Sequence, residues 1–107
     1  MPSLQFPHPS ELSKIQTTLR QVLPQMQEKY QVRQLGIFGS FVRGEQTADS
    51  DIDVLVEFEP TARFGLLTFC QLENELSDLL NRKVDLVMKD GLKPRIGERI
   101  LQEVIYL

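Results

Sequence analysis

The sequence is poor in the residues that form disulfides and soft-metal sites. Its 107 residues include one cysteine, one histidine and no tryptophan. A lone cysteine, Cys70, excludes an internal disulfide and a cysteine-rich metal site. No apolar run approaches the about 20 residues of a membrane-spanning helix, and residues 1–10 lack the apolar segment of a secretory signal. We therefore expect a cytoplasmic protein that makes no membrane contact.

An excess of basic residues is also missing. Twelve Lys and Arg residues against fifteen Asp and Glu residues give a net charge of -3. Proteins that hold a nucleic-acid backbone by bulk electrostatics are normally basic, so we expect no direct nucleic-acid binding. The composition, 41% hydrophobic and 25% charged, is typical of a folded globular chain. The length predicts a single domain over residues 1–107, in which the proline-containing residues 1–9 form an extended lead-in.

Apolar residues spaced three or four apart predict two helices in the first 80 residues. The first follows Ser10 as its N-cap, and Pro24 must either kink it or split it in two. The second covers residues 66–80. Its apolar face includes Cys70, which we expect to pack in the core, and one polar exception, Glu73.

Three strands and a last helix complete the predicted elements. Short apolar runs predict buried strands over residues 35–38 and 84–88. Residues 52–58 alternate between apolar and polar side chains, which predicts a strand with one face in the core. A last helix begins at Pro94, a residue suited to a first helical turn, and its apolar face continues to Val104 and Ile105. The elements predict helices around one small sheet.

Acidic residues are concentrated near the middle strand. Six acids and no Lys or Arg lie between Glu45 and Glu59. Asp51 and Asp53 point to the same face of a strand, with α-carbons about 6.5–7 Å apart, and oxygen ligands favour Mg²⁺ or Mn²⁺ over zinc. Asp85, which interrupts an apolar strand, is a third candidate ligand. Such a short Asp-X-Asp pattern also occurs on exposed strands, so by itself it leaves a solvent-facing surface open as the alternative.

The predicted loop over residues 39–50 begins with Gly39 and Ser40. A glycine here lets the backbone approach a ligand closely, and the amides that follow, together with the serine hydroxyl, suit a triphosphate. Arg43 is spaced to pair either with a phosphate or with an acid of the cluster. Taken alone, the Gly-Ser pair fits an ordinary turn equally well.

The two motifs together form a more specific signature: Gly39-Ser40, ten residues, then Asp51-Ile52-Asp53. The stretch GSFVRGEQTADSDIDVLVEF resembles the minimal nucleotidyltransferases of the DNA polymerase beta superfamily. The resemblance covers about half of the chain, residues 35–88, and the closing segment KPRIGERILQEVIYL resembles the C-terminal helix of that family. It implies the nucleotidyltransferase fold, an α/β (α+β) fold with a small mixed sheet flanked by helices.

The resemblance also implies roles for individual residues. Gly39 and Ser40 would contact the phosphates of ATP, the expected substrate, and from its spacing we add Arg43 to this set. Asp51, Asp53 and Asp85 would be the catalytic residues; they would bind two Mg²⁺ ions, with Mn²⁺ as a possible substitute.

Small members of this family resemble the antitoxins of two-gene modules in which the toxin is a HEPN-type ribonuclease. There the nucleotidyltransferase adds AMP to a tyrosine of the toxin, so we expect such a toxin as partner, in a hetero-oligomer. Stoichiometric occlusion of the toxin without catalysis is one alternative, and transfer to a small molecule or an RNA is another. The basic run from Arg82 to Arg99 is a candidate partner surface, with a solvated, charge-balanced face as the alternative.

Overall fold

Four helices and four strands are present in the part of the chain that the structure describes. The structure is a computed structural model that describes residues 10–63 and 65–107, and the predicted lead-in over residues 1–9 lies outside the described residues. None of the described helices is long and apolar enough to cross a membrane. In chain order the elements are α1 (Glu11–Tyr30), β1 (Val32–Phe38), α2 (Ser40–Arg43), β2 (Ile52–Phe58), α3 (Leu66–Leu80), β3 (Val84–Met88), a 3₁₀ turn (Lys89–Gly91), α4 (Pro94–Glu103) and β4 (Ile105–Tyr106).

The four strands form one mixed sheet in the order β3-β2-β1-β4. β1 is antiparallel to both β2 and β4, whereas β2 and β3 are parallel and are connected through α3. The predicted α/β (α+β) class, a small mixed sheet flanked by helices, is therefore confirmed. Because of these strand directions, the end of β1 and the beginnings of β2 and β3 meet at one edge of the sheet.

One face of the sheet carries the main hydrophobic core. Ile52, Val54 and Val56 of β2 are at most 1% exposed, as the alternation of residues 52–58 predicts. Burying side chains of this kind contributes about 1.5–3 kcal/mol each. Helices α1 and α3 pack against this face through Ile15, Leu19, Met26, Leu72 and Leu76.

The opposite face of the sheet packs against the C-terminal segment. A Cβ atom added at Gly36 would lie 2.5 Å from Val104 Cγ2 and 3.2 Å from Tyr106 Cδ1. The missing side chain of Gly36 therefore lets this segment approach β1, where Gly36 pairs with Tyr106. Asp53 is on this same face, because it alternates with the core residues of β2.

Helix α1 is continuous from Glu11 to Tyr30. The side chain of Ser10 accepts a hydrogen bond from the Ser13 N–H at 3.0 Å, which confirms the predicted N-cap. Pro24 lies inside the helix on its exposed side and does not split it. Leu19 and Met26, on either side of Pro24 in sequence, are both 0% exposed and hold the two halves against the same core.

The last helix is shorter than predicted. α4 ends at Glu103, Val104 is extended with ψ of 137°, and Ile105–Tyr106 form β4. The prediction that the helix carries Val104 and Ile105 is therefore wrong. Both residues are β-branched and favour strands, and the edge of β1 supplies a backbone partner, since Ile37 pairs with Ile105.

In α3, the prediction for Cys70 is wrong, because its side chain is exposed instead of packed in the core. The polar exception, Glu73, has a structural explanation: its Oε2 accepts a hydrogen bond from the Leu86 N–H at 2.9 Å. Ser77 Oγ likewise accepts from the Val84 N–H at 3.0 Å. These two side chains satisfy backbone donors of β3, the edge strand of the sheet.

Candidate active site

The sheet register brings two of the three predicted acids side by side. Asp53 of β2 is the register partner of Asp85 in the parallel strand β3. Asp51 immediately precedes β2, two residues before Asp53 and therefore on the same side of the strand. All three acids lie at the edge of the sheet where β1 ends, because Phe38 pairs with Asp53. We call this edge, with Asp51, Asp53 and Asp85, the acidic edge.

The half-buried carboxylate of Asp53 lies near like charges at this edge of the sheet. Burial, followed by the nearby carboxylates of Asp85 and Asp51, raises the pKa of Asp53 from 3.8 to about 6. The guanidinium of Arg43 acts in the opposite direction but does not cancel these effects. A bound cation would relieve the repulsion, so the chemistry of these oxygen donors fits Mg²⁺ or Mn²⁺.

The three carboxylates do not converge into a ready-made ligand cage. Within residues 10–63 and 65–107, no group of three or more His, Cys, Asp or Glu side chains is arranged to hold a metal ion. Asp51 Oδ2 lies 3.8 Å from the Nζ of Lys83, whose side chain is 78% exposed. Such an exposed ion pair is weak, so Asp51 can exchange this partner for a cation at little cost.

Gly39 is the predicted close-approach residue, and the group it approaches is the Asp53 carboxylate. Its φ of +83° lies in the region that favours glycine, and a Cβ at this position would overlap Asp53 Oδ2. Its N–H donates a hydrogen bond to Glu103 Oε2 at 2.6 Å. Ser40, the next residue, begins α2, and its hydroxyl makes no hydrogen bond to any residue of the described ranges.

Arg43 pairs with acids in this structure, one of the two alternatives that the sequence left open. Its Nε donates to Glu45 Oε1 at 2.8 Å, and its Nη1 donates to both carboxylate oxygens of Glu103 at 3.0 Å. These hydrogen bonds raise the pKa of Arg43, the bond to Glu45 having the larger effect and the bond to Glu103 the next. Glu45 belongs to the acidic segment noted in the sequence, whereas Glu103 comes from the end of α4.

A cleft of about 260 Å³ lies between α4 and the acidic edge of the sheet. The sequence predicted four of its lining positions as an active-site motif or a strand end. It assigned Arg99 only to the candidate partner surface, and it gave no role to Glu103. Arg99 and Glu103 are one helical turn apart and both line the cleft. The lining residues are Phe38, Gly39, Arg43, Asp53, Ile96, Arg99, Ile100 and Glu103.

The basic run from Arg82 to Arg99 is partly occupied by internal contacts. Arg82 donates to the Ser50 carbonyl at 3.1 Å and to Glu11 Oε2 at 3.0 Å. Its guanidinium also lies 5.1 Å from the centroid of the Phe41 ring. Arg82 thus connects the loop before β2 with α1 and α2. This residue of the basic run therefore stabilises the fold.

Comparison with known proteins shows the family to which the chain belongs. The sequence profile of the family described as "Nucleotidyltransferase domain" matches residues 19–107. A protein adenylyltransferase of Thermococcus cleftensis, MntA, is 45% identical over 96 residues, which cover 90% of this chain and 95% of that protein. A second protein, a candidate protein adenylyltransferase of Methanocaldococcus jannaschii, is 47% identical over 97 residues, which cover 90% of this chain and 97% of that protein.

Solved structures share the fold. A structure described as that of a candidate minimal nucleotidyltransferase superposes with a TM-score of 0.74 at 36% identity, covering 90% of this chain and 95% of that one. A tri-AMPylated Shewanella oneidensis HEPN toxin in complex with its MNT antitoxin gives a TM-score of 0.62 at 16% identity, covering 86% of this chain and 70% of that one. At that identity the second match shows a common fold and no more.

Proposed function

Because the chain belongs to the nucleotidyltransferase domain family and resembles its minimal members, we propose that it is a protein adenylyltransferase. Its substrates are ATP and a tyrosine hydroxyl of a HEPN-type ribonuclease toxin, with which it forms a hetero-oligomer, and its role is that of the antitoxin. The observation that carries the proposal is the pairing of Asp53 with Asp85, next to the close approach of Gly39 to Asp53. The chain is also 45% identical to a protein adenylyltransferase.

The site residues divide into a group that binds the phosphates of ATP and a group that would hold metal ions. The Gly39 N–H, the Ser40 hydroxyl and the Arg43 guanidinium bind the β- and γ-phosphates through charge-assisted hydrogen bonds. Asp51, Asp53 and Asp85 would hold up to two Mg²⁺ ions, which when bound neutralise charge on the triphosphate and on the attacking oxygen. This division leaves the α-phosphorus accessible from the side opposite the leaving group.

The reaction exchanges one phosphorus–oxygen bond for another. The tyrosine oxygen attacks the α-phosphorus, the bond from that phosphorus to the oxygen bridging to the β-phosphate breaks, and pyrophosphate leaves. The tyrosine proton goes to the carboxylate of Asp85, which is exposed to solvent and can pass it on to water. Positioning and charge neutralisation supply the catalysis, since no covalent intermediate is needed.

Occlusion of the toxin without catalysis is the second candidate function. The exposed apolar residues Leu66 and Leu67, at 79% and 74% exposure, favour contact with another protein and are as compatible with occlusion as with transfer. Transfer to an RNA agrees less well with the net charge of -3.

The test mixes the protein with the product of the neighbouring gene, which the proposal expects to be a HEPN-type toxin, together with ATP labelled at the α-phosphate and Mg²⁺. Label on a tyrosine of the partner, retained with Asp49→Asn and lost with Asp53→Asn, supports transfer. Asp49 is the matched control, because it is an exposed acid of the same segment. Full neutralisation of the ribonuclease by Asp53→Asn would establish occlusion, and label on RNA alone would establish a different acceptor.

A further inference from the structure

One carboxylate occupies the phosphate-binding corner, the name we give to the proposed binding site of the nucleotide phosphates at Gly39, Ser40 and Arg43. Glu103 Oε2 accepts the Gly39 N–H at 2.6 Å, and both Glu103 oxygens accept from Arg43 Nη1 at 3.0 Å. Glu103 is partly buried, with 23% of its side chain exposed, whereas the Arg43 side chain is 45% exposed. The carboxylate therefore lies on the inner side of the guanidinium, against the backbone of Gly39.

A carboxylate and a phosphate compete for the same kind of donor. Both are anionic oxygen acceptors, and both form short charge-assisted bonds with a backbone N–H and with a guanidinium. The two cannot share the corner, because like charges at that distance repel strongly in a partly dry cleft. Every phosphate oxygen that binds Gly39 and Arg43 must therefore displace Glu103.

Arg99 offers the displaced carboxylate a second partner. It lines the same cleft and lies four residues before Glu103 on α4, a spacing at which side chains of a helix meet. Within the described part of the chain, Arg99 forms no ion pair, whereas Arg43 forms ion pairs with Glu45 and Glu103. Glu45 still holds the Nε of Arg43 after Glu103 leaves, so the guanidinium stays at the corner.

We propose that Glu103 is an internal competitor of the nucleotide, which holds the phosphate-binding corner closed until a triphosphate moves it to Arg99. The proposal rests on the function proposed above, because it concerns the same phosphate-binding residues. In the free protein Glu103 neutralises Arg43 and blocks weakly bound anions. In the nucleotide complex the Glu103–Arg99 pair, formed within α4, keeps the carboxylate away from the phosphates.

The first experiment measures the affinity for the ATP analogue AMP-PNP by calorimetry with Mg²⁺, without the partner protein, so that there is no acceptor for AMP. Glu103→Gln removes the competing charge and keeps the size of the side chain, so we expect binding about 3- to 10-fold tighter than in the wild type, the effect of about one weakened charge-assisted bond. Glu98→Gln removes an exposed carboxylate from the same helix and should leave the affinity unchanged. Unchanged or weaker binding by Glu103→Gln would overturn the proposal.

The second experiment separates the two possible roles of Arg99. If Arg99 receives Glu103, Arg99→Gln weakens AMP-PNP binding in the wild type and has no effect in the Glu103→Gln background. If Arg99 binds the triphosphate itself, the loss is the same in both backgrounds, and the assignment of Arg99 as the receiving residue is wrong. The double-mutant cycle therefore measures the coupling free energy between Arg99 and Glu103.

The third experiment needs no variant and no transfer activity. In the nuclear magnetic resonance spectrum of the wild type, the Gly39 amide and the Glu103 side-chain carboxyl should shift together when inorganic tripolyphosphate is added. A Glu103 signal that stays fixed while Gly39 shifts contradicts the displacement. If tripolyphosphate moves both signals but AMP is not transferred from ATP to the partner, the proposed function fails and the role of Glu103 as competitor stands. If AMP is transferred and the Glu103 signal stays fixed, the proposed function stands and the competitor role fails.

Discussion

The carboxylate of Asp53 lies in the space that a side chain at Gly39 would fill. Gly39 follows the last residue of β1, and Asp53 is the second residue of β2. The two motifs of the sequence signature, separated by the ten residues 41–50, are thus in direct contact. The proposed phosphate-binding corner and the acidic edge form one site for this reason.

This contact predicts a large cost for Gly39→Ala. The new methyl group meets Asp53 Oδ2 and the backbone has φ of +83°, so we expect a loss of about 2–4 kcal/mol in the free energy of unfolding. Gly44→Ala is the matched control, since Gly44 has φ of +72° with no atom within 4 Å of the added Cβ, and should lose about 1 kcal/mol. Equal losses in denaturant titrations would mean that the Asp53 contact does not matter.

Asp53→Asn should stabilise the metal-free protein at neutral pH. The pKa of Asp53 rises from 3.8 to about 6 on folding, so the folded state binds this proton more tightly and the charged carboxylate destabilises it. We expect a gain of about 1–2 kcal/mol, less than the full shift implies because the half-buried group is screened by water.

The pH dependence of this gain has a definite sign. Below pH 3.8 Asp53 is protonated in both states and the variant gains nothing; the gain grows as pH rises through about 6 and is constant above it. Urea titrations of the wild type and of Asp53→Asn across this range measure it, with Asp49→Asn as the control. A gain that is independent of pH would show that folding does not raise the pKa of Asp53.

Arg82→Lys should loosen the loop that leads into β2. Lysine keeps the charge but loses the planar group that reaches the Thr47 and Ser50 carbonyls and Glu11 together. We expect a loss of about 1.5–3 kcal/mol in stability and faster hydrogen exchange in residues 44–51. Arg95→Lys, on the exposed side of α4, should change neither. Unaltered exchange in the loop would remove this role from Arg82.

The local patterns of the sequence predicted which face of β2 carries Asp53. Alternation over residues 52–58 fixes which side chains of β2 enter the core, and this places Asp53 on the opposite face. A chain reversal between Gly39 and Asp53 then follows from two short strands joined by a turn-rich loop. Asp85 interrupts an apolar strand, and this interruption made it the third candidate ligand.

The predictions that failed depend on contacts between distant parts of the chain. Val104 and Ile105 continue the helical spacing of Ile100 and Leu101, and only pairing with the edge of β1 turns them into an extended segment. Cys70 lies on the apolar stripe of α3, yet the sheet covers only part of that stripe. Glu103 is 64 residues from Gly39 in sequence, and no local pattern indicates that the two meet.

The most direct test of the account is the rate of AMP transfer to the HEPN-type partner by Asp85→Asn. This variant removes one charge from an exposed residue and leaves the core intact. We expect the rate at saturating ATP to fall at least about 100-fold, while Asp49→Asn transfers AMP at the wild-type rate. Wild-type transfer by Asp85→Asn would contradict the assignment of the paired strand acids as the catalytic group.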